Sequence, residues 1–156
     1  MYKNTKKLIE ILKNKKITLS VVESCTGGKL AQLLTSISGA SKVFDFGMVT
    51  YSNQSKIRHL KVPAKLIQKY GAVSKNCCTT MVKNLSKISK SKLNIAITGI
   101  AGPRGGSKLK PVGLVYIGLK KKDKIQIHEF FFKNINRESV RTISVKKTIE
   151  LIRNFI

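Results

Sequence analysis

Three segments of this sequence combine residue types that could do chemistry. The first is Glu23-Ser24-Cys25-Thr26-Gly27-Gly28-Lys29. Small residues there let a ligand approach the backbone, N–H groups opening a helix form an anion site, and Ser24 stands where a nucleophile would be presented. The second is Val49-Thr50-Tyr51-Ser52-Asn53-Gln54-Ser55-Lys56. Tyr51 and Lys56 could tune or deprotonate a nearby hydroxyl, and a lysine does so only where burial or adjacent positive charge lowers its pKa. The third is Thr98-Gly99-Ile100-Ala101-Gly102-Pro103-Arg104-Gly105-Gly106-Ser107. Its glycines expose backbone donors, and Arg104 and Ser107 could meet a phosphate. Each segment also has a plainer reading: a glycine turn before a capped helix, a surface helix with one ordinary lysine, and a turn-rich loop.

What the chain lacks narrows the chemistry. Its 156 residues carry 31 Lys+Arg against 7 Asp+Glu, a formal charge of +24, and 26 of the basic residues are Lys. The carboxylates are Glu10, Glu23, Asp45, Asp123, Glu129, Glu138 and Glu150, scattered enough to argue against a paired-carboxylate glycosidase or a carboxylate-rich metal site. His59 and His128 lie far apart, which argues against a Ser-His-Asp triad. Cys25, Cys77 and Cys78 form no CxxC, so neither a zinc site nor a disulfide framework is indicated, and free or buried thiols are expected. No apolar run approaches the ~18–20 residues of a membrane span. The segment from Met1 to Lys16 has no signal-peptide apolar core, and a cytoplasmic protein is expected.

The pattern around these segments alternates helices and strands. Thr5 to Lys15 reads as an amphipathic helix, Ile17 to Val22 as a strand, and Lys29 to Thr35 as a helix. Val43 to Tyr51 reads as a strand, followed by a short helix from Ser52 to His59, capped by Ser52 or Asn53. Pro63 to Tyr70 reads as a helix with Gly71 as its stop, and Ser74 to Ile88 as a helix that buries Cys77, Cys78, Met81, Val82 and Leu85. Leu93 to Thr98 is a buried strand. Pro111 to Leu119 and Ile125 to Phe132 form a hairpin across a Lys-Lys-Lys-Asp-Lys link, and Arg137 to Phe155 closes the chain as a helix with Val140, Ile143, Ile149, Ile152 and Ile156 inward. This order predicts one domain over residues 1–156, a three-layer α/β/α sandwich with a mixed, largely parallel sheet. All three chemical segments follow strands. If those strands are parallel, their ends meet at one edge of the sheet, where ligands bind in such folds.

The three segments in this order, with Gly71-Ala72-Val73-Ser74 between the second and third, resemble the CinA C-terminal domain family over nearly the whole chain. Its stand-alone members look like nicotinamide-nucleotide amidohydrolases. The resemblance implies deamidation of nicotinamide mononucleotide to nicotinate mononucleotide and ammonia, with no metal or organic cofactor and with frequent homo-oligomers. It implies Ser24 as nucleophile, Lys56 as base and Tyr51 as an assisting or binding hydroxyl. It also implies that Thr26, Gly27 and Gly28 shape one loop, and Gly102, Gly105, Gly106 and Ser107 the other. Arg137 and Arg141 match the Arg-x-x-x-Arg that often opens the family's distal helix, where they would bind substrate, cap the helix or bind a neighbouring subunit's phosphate ligand. Ser55 and Lys29 depart from the family's common alanine and larger apolar residue, and neither departure removes a proposed catalytic group.

A serine activated by lysine also fits the shortage of acids and histidines. In that scheme backbone N–H groups near Thr26 to Gly28 stabilise the oxyanion, and loop amides with Arg104 or Lys108 hold the phosphate. Cys25 is the competing nucleophile, or else a core thiol. Two other classes stand beside this one: a catalytically idle nucleotide-binding or competence-associated regulatory module, and a nucleic-acid binder using the basic surface. The second lacks a groove-reading helix and interleaved aromatics. Neither a nucleic-acid nor a membrane partner is expected.

Overall fold

The computed structural model describes all 156 residues. The elements are α1 (Tyr2–Asn14), β1 (Leu19–Glu23), α2 (Lys29–Thr35), a 3₁₀ turn (Ala40–Lys42), β2 (Phe44–Val49), α3 (Asn53–Leu60), α4 (Ala64–Tyr70), α5 (Lys75–Ile88), β3 (Leu93–Gly99), β4 (Leu114–Lys121), β5 (Lys124–Phe131) and α6 (Arg137–Phe155). The strands form one sheet in the order β2-β1-β3-β4-β5. β1 pairs parallel with β2 and β3, and the β3–β4 and β4–β5 pairs are antiparallel.

Side-chain alternation splits the core between the two faces of the sheet. Leu19 and Val21 of β1 and Leu93, Ile95 and Ile97 of β3 pack with α1, α2 and α6. Val22 and Ala96 point the other way, onto Leu60, Ile67, Met81 and Leu85 of α3, α4 and α5. The result is an α/β/α sandwich. β1 and β3 are flanked on both sides and covered on both faces, which is why they read as continuous apolar runs. β2, at the edge, alternates between half-buried and exposed residues.

Local chemistry sets the helix ends. Ser52, Ser74 and Asn136 each accept a hydrogen bond from the N–H three residues on, opening α3, α5 and α6. Gly71 ends α4 at a positive φ of 77°. No helix is long and apolar enough to cross a membrane.

β1 runs from Leu19 to Glu23 where the sequence predicts Ile17 to Val22, β2 ends at Val49 and not Tyr51, and β4 begins at Leu114 and not Pro111. Three further differences have a local cause. α1 starts at Tyr2, because buried Thr5 donates back to the Met1 carbonyl instead of opening the helix. The hairpin link shrinks to Lys122-Asp123, since Lys120 and Lys121 continue β4 and Lys121 pairs with Lys124. α6 buries Val140, Ser144, Val145, Thr148, Ile149, Ile152 and Phe155, leaving Ile143 and Ile156 only half-buried. Ser144 and Thr148 can face the core because each hydroxyl donates to a carbonyl one turn back, of Val140 at 2.7 Å and Ser144 at 2.8 Å.

Candidate active site

β2, β1 and β3 run parallel and in register, with Glu23 beside both Val49 and Ile97. The ladder continues one step beyond the strands. Thr50 N–H donates to the Glu23 carbonyl at 2.8 Å, and Ser24 N–H to the Ile97 carbonyl at 3.0 Å. Ser24 is therefore fixed at the sheet edge between the other two chemical segments.

Lys56 reaches Ser24 from α3. It lies one turn before Leu60, and these two are the buried residues of that helix. The stripe that carries Leu60 into the core takes Lys56 with it, to 2% exposure. Its Nζ lies 2.9 Å from Ser24 Oγ, 2.7 Å from the Thr50 carbonyl and 3.4 Å from the Tyr51 carbonyl. Burial lowers its pKa from the ordinary lysine value, and the opposing pull of Cys77 and Cys25 is smaller. The partner set also fixes the direction of a proton. Two partners are carbonyls and can only accept. A neutral amine gives its two N–H groups to them and turns its lone pair to Ser24, the one partner able to donate.

Cys25 sits beside this pair as a buried thiol. Desolvation pushes its pKa up to about 12, so it stays protonated near neutrality. This favours its reading as a core thiol over that of a nucleophile. Gly99 makes room for it: a Cβ there would lie 3.1 Å from Cys25 Sγ and 2.7 Å from Val115 Cγ2.

Beside Ser24 opens a cavity of about 220 Å³. Ser24 and Cys25 form one wall, Tyr51 and Arg137 another, and Gly99 to Gly102 with Arg104 and Gly105 the third. Arg137 closes a corner by donating to the Gly102 carbonyl at 2.7 Å and to the Tyr51 hydroxyl. Gly102 has φ of 85°, and a Cβ on it would lie 2.4 Å from Val112 Cγ1, so both conformation and space require glycine.

Of the candidates read from sequence, Ser24, Tyr51, Gly102, Arg104, Gly105 and Arg137 line this cavity, with Lys56 behind Ser24. The others stand apart from it. Gly106 packs against Val112, and the Ser107 hydroxyl accepts from Lys110 N–H at 3.1 Å. Arg141 donates to the Thr26 carbonyl at 3.0 Å and pairs with Glu138, which also takes Lys29, tying α6 to the first loop. The Gly27 and Gly28 amides, expected near an oxyanion, are already engaged by the Ser24 carbonyl and Glu23 Oε2. The amides of Cys25 and Thr26, directly after Ser24, bond no backbone carbonyl, and of the two residues Cys25 lines the cavity. The Thr26 hydroxyl is buried without a partner, as is that of Thr50.

Glu23 is the residue that sequence reasoning missed. Fully buried, its carboxylate accepts from the N–H groups of Gly28 and Leu30 at 3.1 Å and of Ala31 at 2.8 Å. It satisfies the amino end of α2 with charge of the favourable sign. The signal was present: one of seven acids stands just before a serine and a glycine turn.

Comparison with known proteins follows the same outline. A profile described as the CinA C-terminal domain matches residues 1–156. A relative in Thermoanaerobacter pseudethanolicus, named for competence-damage induction, is 40% identical over 149 residues, which are 96% of this chain and 36% of that protein. One in Caldicellulosiruptor bescii, with the same name, is 42% identical over 149 residues with the same coverage. The chain thus spans about a third of the length of these relatives. Among solved structures, a competence/damage inducible protein from Agrobacterium tumefaciens superposes with a TM-score of 0.95 at 35% identity, covering 98% of this chain and 93% of that one. A CinA superfamily protein from Escherichia coli gives 0.93 at 29% identity, covering 98% and 88%.

Proposed function

The chain belongs to the CinA C-terminal domain family, and from that premise we propose that it is a serine–lysine amidohydrolase that converts nicotinamide mononucleotide to nicotinate mononucleotide and ammonia. The observation that carries this reading is the 2.9 Å contact between Lys56 Nζ and Ser24 Oγ, with the lysine buried and its pKa lowered. Lys56 takes the Ser24 proton as Oγ attacks the carboxamide carbon. The oxyanion that forms faces the amides of Cys25 and Thr26. Lys56 then gives its proton to the departing nitrogen, which leaves as ammonia. Water attacks the resulting ester, with Lys56 accepting its proton and returning it to Ser24.

The cavity suits the rest of the substrate. The Tyr51 ring, 57% exposed, offers a π-face to a pyridinium, while Arg104, Arg137 and the glycine-loop amides suit a phosphate. The test is ammonia release from nicotinamide mononucleotide, with nicotinamide riboside and glutamine as comparisons. The mononucleotide is the expected substrate, and Ser24→Ala is expected to lose at least about 10³-fold in kcat. Full activity in Ser24→Ala would remove the serine mechanism. Binding of the mononucleotide without ammonia release would instead support the idle regulatory module.

A further inference from the structure

A second cavity, of about 300 Å³, lies at the opposite end of the sheet from Ser24, where β3 begins and β4 ends. Lys92, Lys120, Lys121 and Lys122 line it, together with Ser86, Ser91 and Asn94, and no apolar or acidic side chain does. Two of the ammonium groups rest on backbone: Lys92 on the Lys16 carbonyl at 2.8 Å, and Lys120 on that of Lys122. Lys121 and Lys122 have no carboxylate partner, because the three ion pairs of the chain use only Glu138 and Glu150. Two nearby acids offset part of this charge without pairing directly with any of the four lysines. Asp123 in the hairpin turn makes no ion pair, and Asp45 accepts from the Ser91 hydroxyl at 2.8 Å. The carboxyl end of α5, which supplies Ser86, contributes about half a negative charge, against four full positive ones.

Four like charges around one concavity repel each other, and an anion held among them relieves that repulsion. We propose that this cavity is a binding site for a compact, multiply charged phosphate anion of the pyrophosphate or triphosphate class. Compactness follows from the concave shape. The Ser86 and Ser91 hydroxyls already donate to the Lys83 carbonyl and to Asp45, and Asn94 donates to the Ser91 carbonyl, so the four lysines are what attract the anion. With no aromatic side chain the cavity gives a nucleobase no face to stack on.

The experiment is calorimetric titration of the intact chain with inorganic triphosphate at fixed ionic strength. Arg104→Gln separates this site from the catalytic cavity. A triple variant, Lys120→Gln, Lys121→Gln and Lys122→Asn, removes the cation cluster; asparagine suits the positive φ of 52° at residue 122. Saturable binding is expected in the parent chain and in Arg104→Gln, weakened at least about tenfold in the triple variant. Should the triple variant not fold, Lys122→Asn alone is expected to weaken binding measurably. Absence of saturable binding, or equal binding after the lysines are removed, would overturn the proposal. So would tighter, length-dependent binding of a single-stranded oligonucleotide to the same lysines, which would make the occupant an extended polyanion.

Discussion

Burial of Lys56 at 2% exposure lowers its pKa and so raises the fraction present as the neutral amine, the form a base requires. The sign of its effect on stability follows. Well below its folded-state pKa, native and unfolded chains both hold the proton, and the native state bears the full cost of a buried ammonium. As pH rises, the native state releases the proton first, and stability increases until the unfolded value near 10.5 is reached. Thermal melts of Lys56→Met and the parent chain as a function of pH check this: the parent is expected to gain relative to the variant as pH approaches that value. The parent's kcat/KM is expected to rise through a lysine pKa displaced below the ordinary one, while Lys56→Met retains at most about 10⁻² of the activity and loses that limb. A profile unchanged by the substitution would remove Lys56 as the base. Sequence marked Ser24, Tyr51 and Lys56 by motif, yet nothing in it separates the burial of Lys56 from that of 25 other lysines except its spacing from Leu60.

At the scale of elements, Ser24, the proposed nucleophile, depends on how α2 is held. Glu23 satisfies three N–H groups of that helix start and is chemically bonded to Ser24. Glu23→Gln replaces one acceptor oxygen with an NH₂ group facing donors, and is expected to cost about 1–3 kcal/mol of stability. The check is urea unfolding, where the midpoint falls at unchanged slope, with kcat falling more than KM changes. Most elements were legible because their apolar periods and caps agree: α2 and α6 begin and end where the pattern puts them. The core face of α6 was not, because Ser144 and Thr148 satisfy their hydroxyls within the helix and so pass as apolar. The fate of loop amides was equally hidden. Only the fold shows that Glu23 takes the Gly28 N–H, or that Arg141 turns to the Thr26 carbonyl and not to the cavity.

For the molecule as a whole, a formal charge of +24 with three ion pairs leaves most cations facing one another through solvent. Salt screens that repulsion. Raising sodium chloride from about 20 to about 300 mM is expected to raise the melting temperature by about 3–6 °C, and a fall would show that ion pairs dominate. The seven residues of β3 span about 23 Å between the serine cavity and the lysine cavity. At physiological ionic strength the screening length is about 8 Å, so little of the field at one end survives at the other. The two ends of the sheet are in effect electrically insulated from each other by the medium around them. Triphosphate in the lysine cavity is therefore expected to leave turnover unchanged at physiological salt. In very dilute buffer, where the screening length exceeds the strand, it would slow capture of an anionic substrate.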